Sequence, residues 1–345
     1  AAYYGSVKCF DYLLKNGADH KLEDEIGLNL MHYAVIGANR EIITKVQQLD
    51  FKFDIGSISL IAETFRNSFF YWLLDQVTVD IEESQLQTGT ILHRACSANN
   101  IDIILFCISS GININVFDNL NLTPLFYAAS NCSIDAINVL LGHKDIKWSL
   151  SDKFGDTPLH GAAKSGDCDT FKAILNHKDA DINVKDFRDK SPFSYAIGEG
   201  KYEIVQMILD KYFDSINFEE TGISGEPLIY KPLGSHYLNT FIIFCKYQKV
   251  DVNVPRKDGS YLIHAIVQSC QIEFARHFLS LERADPNVRL PDGTTGLHMA
   301  SQRGLDDFVQ LFLNNPKTDV NLKNGYGSTA LHLAVNHNHA STVKI

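Results

Sequence analysis

The chain contains no apolar run close to the ~18 residues needed to cross a membrane, although its 345 residues are 45% hydrophobic. Those side chains call for burial inside a fold. It also lacks an excess of positive charge. Lys and Arg number 31 against 41 Asp and Glu, a net charge of −10, which works against nucleic-acid backbones and anionic lipid as partners. With 21% charged residues beside that hydrophobic content, the balance is that of a folded chain and not of a disordered one. No signal peptide is visible. The seven cysteines, at 9, 96, 107, 132, 168, 245 and 270, are odd in number and form no C-x-x-C pair. They read as reduced packing thiols of a cytoplasmic, or alternatively nuclear, protein.

Motifs for chemistry are missing as well. No Ser, Cys or Asp stands in a nucleophile motif. Gly198-Glu199-Gly200-Lys201 resembles the end of a phosphate loop and Asn324-Gly325-Tyr326-Gly327-Ser328 is a Gly-rich turn, but neither completes a phosphate-binding pattern. His337 and His339 have no Cys or acidic neighbours at metal-ligand spacing. The expectation is a chain without catalytic residues, cofactor, metal or small-molecule substrate.

What the chain does have is a repeat. Its fullest copy is Asp156-Thr157-Pro158-Leu159-His160-Gly161-Ala162-Ala163, then Lys164-Ser165-Gly166 and the apolar Phe171, Ile174 and Leu175. The slot of His160 returns at His93, Phe126, Ser194, Ile229, His264, His298 and His332, in steps of 33, 34, 34, 35, 35, 34 and 34 residues. Thr157 stands where a helix N-cap is wanted, and Pro158 follows at the first helical position, where a missing N–H costs nothing. Leu159, Ala162 and Ala163 make a thin apolar face for close packing. Gly166 supplies the left-handed residue that ends the helix. A second helix carries Phe171, Ile174 and Leu175 at helical spacing. Asp181-Ile182-Asn183-Val184-Lys185-Asp186 is then an extended, β-branched piece leading to the next turn.

Thr-Pro-Leu-His-x-Ala at this period is the ankyrin signature. The chain resembles that family through Leu122-Thr123-Pro124-Leu125-Phe126-Tyr127-Ala128-Ala129, Thr157-Pro158-Leu159-His160, Gly296-Leu297-His298-Met299-Ala300 and Thr329-Ala330-Leu331-His332-Leu333-Ala334. The resemblance implies an all-α solenoid of stacked antiparallel helix pairs with β-hairpin fingers along one edge. It also implies that His32, His93, His160, His264, His298 and His332 hydrogen-bond backbone and join neighbouring turns. Solenoids grow by adding units that touch only their neighbours, so residues 1–345 are expected to be one array of about eleven units, the first and last partial. Ala1-Ala2 occupy the alanine pair of a unit, which reads as a segment of a longer array. The opening residues resemble the expanded ankyrin families of some single-celled eukaryotes.

Two regions are expected to be irregular, 50–87 and 221–237. In the first, the joint from Asp50 to Gly56 is too short for a full finger, and the aromatics at 69–72 read as core. In the second, Lys231 and Pro232 fill the alanine slots, so Pro232 should break or shorten the first helix of the unit beginning at Thr221-Gly222-Ile223-Ser224-Gly225.

The family resemblance places partner binding on the concave face, at finger tips and outward positions of the first helices. Carried over, these are Phe117, Asn119, Leu120, Leu122, Ser130 and Asn131; Lys153, Phe154, Asp156, Lys164 and Ser165; and Phe187, Arg188, Lys190, Gly198 and Glu199. Leu120, Leu122, Phe154 and Phe187 are apolar where a solvated turn favours polar residues, with Phe117 beside them, and Lys153, Lys164, Arg188 and Lys190 add positive charge. The Asn residues before the fingers, Asn115, Asn183, Asn253, Asn287 and Asn321, are expected to serve the turn. A noncatalytic scaffold, monomeric and bound to a partner protein, is the function expected; the alternative is the ankyrin targeting part of a larger enzyme or membrane protein.

Overall fold

Thr157 caps the helix Pro158–Ser165 from an extended conformation (φ −89°, ψ 167°), and Gly166 closes it at φ 94°. Pro158 sits in the first turn, and the N–H of Thr157 donates to His160 Nδ1 at 3.0 Å. Leu159, Ala162 and Ala163 are fully buried, as are Phe171 and Ile174 of the following helix, Cys168–Leu175. Each large apolar side chain so buried contributes roughly 1.5–3 kcal/mol. The same two-helix design is repeated along the chain.

This computed structural model describes residues 1–25, 27–53, 55–64, 66–75, 89–177, 180–218 and 226–345. It divides into two compact units, Ala1–Asp181 and Ile182–Ile345. The first unit opens with the helix Val7–Lys15 and continues as five pairs: Leu30–Gly37 with Arg40–Gln47, Ile55–Ile61 with Asn67–Leu74, Ile91–Ser97 with Ile101–Ser109, Pro124–Ser130 with Ile134–Leu141, and Pro158–Ser165 with Cys168–Leu175. The second unit starts its helices with Pro192–Gly198 and Tyr202–Tyr212. It continues through Leu238–Lys246, Leu262–Gln268 with Ile272–Ser280, and Gly296–Arg303 with Asp306–Leu313, to Ala330–Asn336 with Ala340–Lys344. Within each unit, first helices pack on first helices and second on second.

The expected fingers are tight turns. In the first unit, Asp118 N–H donates to the Leu122 carbonyl at 3.0 Å and Asn121 N–H to the Asp118 carbonyl at 3.1 Å. Such short arms leave no room for a ladder, and no strand occurs among the described residues. The turns need one left-handed residue each. Gly155, Gly259, Gly293 and Gly327 supply it, while Asn121 (φ 60°) and Asp189 (φ 59°) fill the same slot, as the short polar residues that tolerate it best.

The Asn residues before the fingers reach further than their own turn. Asn115 Nδ2 donates to the Asp145 carbonyl at 2.8 Å, and its Oδ1 accepts from Lys147 N–H at 2.8 Å. Asn183, Asn253 and Asn287 of the second unit make the same two-way bridge about one repeat ahead, to Ser215 and Asn217, Arg283 and Asp285, and Lys317 and Asp319. They are repeat-to-repeat staples.

In the irregular region near 70, Phe69 and Phe70 are core, whereas Tyr71 is exposed, and Trp72 carries the Arg40 guanidinium 5.0 Å from its ring centre. The joint from Asp50 to Gly56 includes Asp54, and the expectations for residues 76–88 and for Thr221–Gly225 lie outside the described residues. Beyond them, the first helix of the irregular unit is a 3-10 turn, Leu228–Tyr230, followed by the short α segment Lys231–Gly234. Pro232 falls in the first turn of that α segment. The first helix of this unit is thus broken and short, as expected from Pro232 in the alanine slot, and the 3-10 turn upstream spares the ring a clash with a preceding α-helical turn.

Candidate partner-binding surface

The finger tips at 118–122, 152–156 and 186–190 are each built on an acidic side chain turned onto its own backbone. Asp118 Oδ1 accepts from Leu120 and Leu122 N–H, both at 2.8 Å. Asp152 does so from Phe154 at 2.8 Å and Asp156 at 2.9 Å, and Asp186 from Arg188 and Lys190, both at 2.8 Å. Asp and Asn favour such turns because the carboxylate imitates a backbone acceptor. Of the residues between these bonds, Leu120, Phe154 and Phe187 are exposed.

In the first unit, Lys153 N–H donates to the Leu120 carbonyl at 3.2 Å and so joins two successive fingers. Leu120 (43% exposed) and Phe154 (52%) thereby become neighbours, with Phe117 (44%) just ahead on the same turn as Leu120. The Lys153 ammonium lies 5.1 Å from the Phe154 ring centre. Leu122 is half-buried, and its carbonyl is taken up by His93 Nε2 at 3.0 Å.

The other predicted residues divide by what they are tied to. Asn131 is exposed, with its Nδ2 donating to the Tyr127 carbonyl at 2.9 Å at the end of a helix. Asp156 is buried, and Lys164 Nζ reaches its Oδ2 at 2.6 Å, so this cation is held on a carboxylate of its own repeat. In the second unit Phe187 is 77% exposed. Arg188 Nε donates to Asp186 Oδ2 at 2.9 Å and the same guanidinium contacts the Tyr195 hydroxyl, while Lys190 Nζ lies 5.4 Å from the Tyr195 ring centre. Glu199 is exposed at the end of the helix Pro192–Gly198. The structure thus brings Leu120, Lys153 and Phe154 together in the first unit. In the second it gathers Arg188, Lys190 and Tyr195 around Asp186 below an outstanding Phe187.

Burial alone would raise the Asp186 carboxyl. The hydrogen bonds from Tyr195 and from the Lys190 and Arg188 backbone outweigh it and hold the group below its usual range. The Tyr195 hydroxyl donates to Asp186 Oδ2 at 2.7 Å. Two further copies of this contact exist, Tyr33 to Asp24 at 2.6 Å and Tyr127 to Asp118 at 2.9 Å. Asp-x8-Tyr is therefore a built-in brace between finger and first helix. Sequence reading missed it, although the spacing is visible at 24/33, 118/127 and 186/195.

The repeat histidines act within and between repeats. Thr90 N–H donates to His93 Nδ1 at 3.0 Å, so the ring proton sits on Nε2 and goes to the Leu122 carbonyl of the next repeat at 3.0 Å. His298 repeats the link to the Ser328 carbonyl at 3.0 Å. Burial lowers the pKa of His93, His264 and His298, that of His264 to about 4 against the pull of the Thr294 and Val288 carbonyls. None of the seven cysteines is in a disulfide. Burial pushes Cys96 up, and Cys107 and Cys245 to about 12, which makes these three packing groups and poor nucleophiles. Among the described residues, no three His, Cys, Asp or Glu gather to hold a metal, and no helix is long and apolar enough to cross a membrane.

Comparison with known families agrees with this architecture. The model described as ankyrin repeats (3 copies) matches residues 59–152, 144–219 and 262–345, and the one described as ankyrin repeats (many copies) matches residues 1–45. No curated protein matches the chain.

Proposed function

This chain belongs to the ankyrin-repeat family, and from that premise we propose that it is a noncatalytic scaffold that binds a partner protein through its finger tips and the adjoining faces of its first helices. Ankyrin repeats are in general protein–protein interaction modules. The observation that carries the reading is the pairing of Leu120 with Phe154 by the Lys153 to Leu120 backbone bond, which sets exposed apolar tips side by side, with the Lys153 ammonium beside the Phe154 ring. Adjoining exposed apolar side chains mark contact surfaces, and aromatic anchors with a cation beside them are the usual energetic centres of interfaces.

Rigidity supports the same reading. The tips stand on turns held by Asp118, Asp152 and Asp186, so little ordering entropy is lost when a partner seats on them. Residues 1–345 are taken as one array because the sequence register runs unbroken from His93 to His332. We take the protein to be a monomer of the cytoplasm or nucleus; seven cysteines outside any disulfide support the compartment.

The test is capture from a lysate of the source cells by the chain and by its Phe117→Asp, Phe154→Asp, Phe187→Asp variant, with the variant's fold checked by circular dichroism. A protein retained by the first and lost by the second is the expected outcome. Equal capture by both would overturn the assignment to the finger tips.

A further inference from the structure

Two Asn-Gly pairs occur in the chain, and each follows a lysine: Lys15-Asn16-Gly17 and Lys323-Asn324-Gly325. In such a pair the backbone nitrogen of the glycine can attack the side-chain carbonyl of the asparagine, because no Cβ stands in the way of the ring that forms. The local sequence makes the two pairs nearly equal. Their surroundings in the fold do not.

Asn324 stands in the finger slot that Asp118, Asp152 and Asp186 hold elsewhere. Its Oδ1 accepts from the N–H groups of Tyr326 and Ser328, both at 3.0 Å, as Asp118 Oδ1 does from Leu120 and Leu122 at 2.8 Å. Two donors on one carbonyl oxygen draw charge from its carbon. They also face the atom on which negative charge gathers when a nucleophile adds, the arrangement of an oxyanion hole. Asn16 is held the other way round. It caps the end of the helix Val7–Lys15, its Nδ2 donates to the Tyr12 carbonyl at 2.7 Å, and among the described residues no donor reaches its Oδ1.

The attacking nitrogens differ less. Gly17 N–H is bonded to the Leu14 carbonyl at 3.1 Å and Gly325 N–H to the Asp292 carbonyl at 2.6 Å. The second bond is the shorter and opposes attack, but it is one neutral bond at an exposed tip, weaker than the pull of two donors on a developing oxyanion. The same approach of two fingers keeps the reactive neighbour in place: a Cβ at 325 would lie 2.7 Å from the Asp292 carbonyl oxygen.

We propose that Asn324 is a site of spontaneous deamidation, which gives this finger the carboxylate that the others carry by sequence. The Gly325 nitrogen bonds to Asn324 Cγ, the Cγ–Nδ2 bond breaks, and ammonia leaves with the Gly325 proton. Water then opens the cyclic imide. Addition at Cγ restores the main chain and leaves a carboxylate; addition at the other ring carbonyl gives the isoaspartyl linkage. The aspartate product keeps both acceptor bonds, now charge-assisted. The site stands independently of the finger-tip reading.

The experiment incubates the full chain at mildly alkaline pH, folded and in parallel in concentrated urea, and follows amide-to-acid conversion at both positions by peptide mass spectrometry. In the folded chain Asn324 should convert at least about fivefold faster than Asn16. In urea the two rates should converge, since only the fold separates them. Asn324→Asp should unfold at no lower a urea concentration than the original chain. No conversion at 324, conversion at 16 as fast or faster in the folded chain, a preference for 324 that persists in urea, or a destabilised Asn324→Asp chain would overturn the assignment.

Discussion

The Tyr127 hydroxyl donates to Asp118 Oδ2 at 2.9 Å, while the other oxygen of the same carboxylate holds the Leu120 and Leu122 N–H groups at 2.8 Å. One acidic side chain thus fixes the shape of a finger and braces it against the first helix of its own repeat. Burial first, and then the bond to Asp118, raises the Tyr127 hydroxyl well above its usual pKa, so it acts as a donor throughout the physiological range.

Removing the two partners of this brace should have unequal costs. Tyr127→Phe loses one hydrogen bond and is expected to cost about 1 kcal/mol, whereas Asp118→Ala also strands two backbone donors and should cost about 2–3 kcal/mol. Urea unfolding of both variants measures the difference. Equal costs would mean that the turn does not depend on the carboxylate.

A second prediction concerns pH. Burial holds the His264 ring neutral down to about 4, against an ordinary value of 6.5. Below 6.5 the unfolded chain takes up a proton that the native ring refuses, so stability is lost as pH falls from about 6.5 to 4. At 1.36 kcal/mol per pH unit the loss from this ring approaches about 3 kcal/mol, with His93 and His298 acting in the same direction. Asp186, whose carboxyl is depressed below 3.8, supplies stability that is lost only at lower pH. His264→Gln should flatten the dependence of stability on pH between 7 and 4.5. An unchanged slope would contradict the neutral buried ring.

The staples between repeats give a third. Asn287 gives and receives one hydrogen bond across a repeat boundary, with the Lys317 carbonyl at 2.7 Å and the Asp319 N–H at 2.8 Å. Asn287→Ala should therefore cost about 1–2 kcal/mol. Asn287→Asp keeps the acceptor but loses the donor, and should fall between wild type and Ala in denaturant midpoint. An Asp variant as unstable as Ala would show that the donor half carries the contact.

Much of this was legible in the residues, and the part that was not has a common cause. The helix pairs follow from local signals, such as Thr157, Pro158 and Gly166 around one apolar face, repeated at a fixed period. The tip residues Leu120, Phe154 and Phe187 stood out because apolar side chains occupied turn positions. The roles of charged residues depended on distances that sequence does not contain. Arg188 reads as an interface cation, but folding places it on Asp186 and Tyr195, and Lys164 is likewise turned onto Asp156. Pro232 reads as a helix breaker, and the first helix there is indeed broken; that the break takes the form of a 3-10 turn ahead of it is not legible in the residues. His264 and His298 hold the same slot of the repeat, but only His298 Nε2 reaches the next repeat's carbonyl within bonding distance, a difference that the slot alone does not reveal.

The central claim, that partners seat on the finger tips, is tested most directly by site-specific photocrosslinking in source-cell lysate. A benzophenone side chain is placed at Phe154 on the finger tip, and separately at Tyr71, which is exposed on a second helix of the same unit. The account predicts a crosslinked protein from position 154 and none from position 71. Crosslinking from 71 with none from 154 would contradict it.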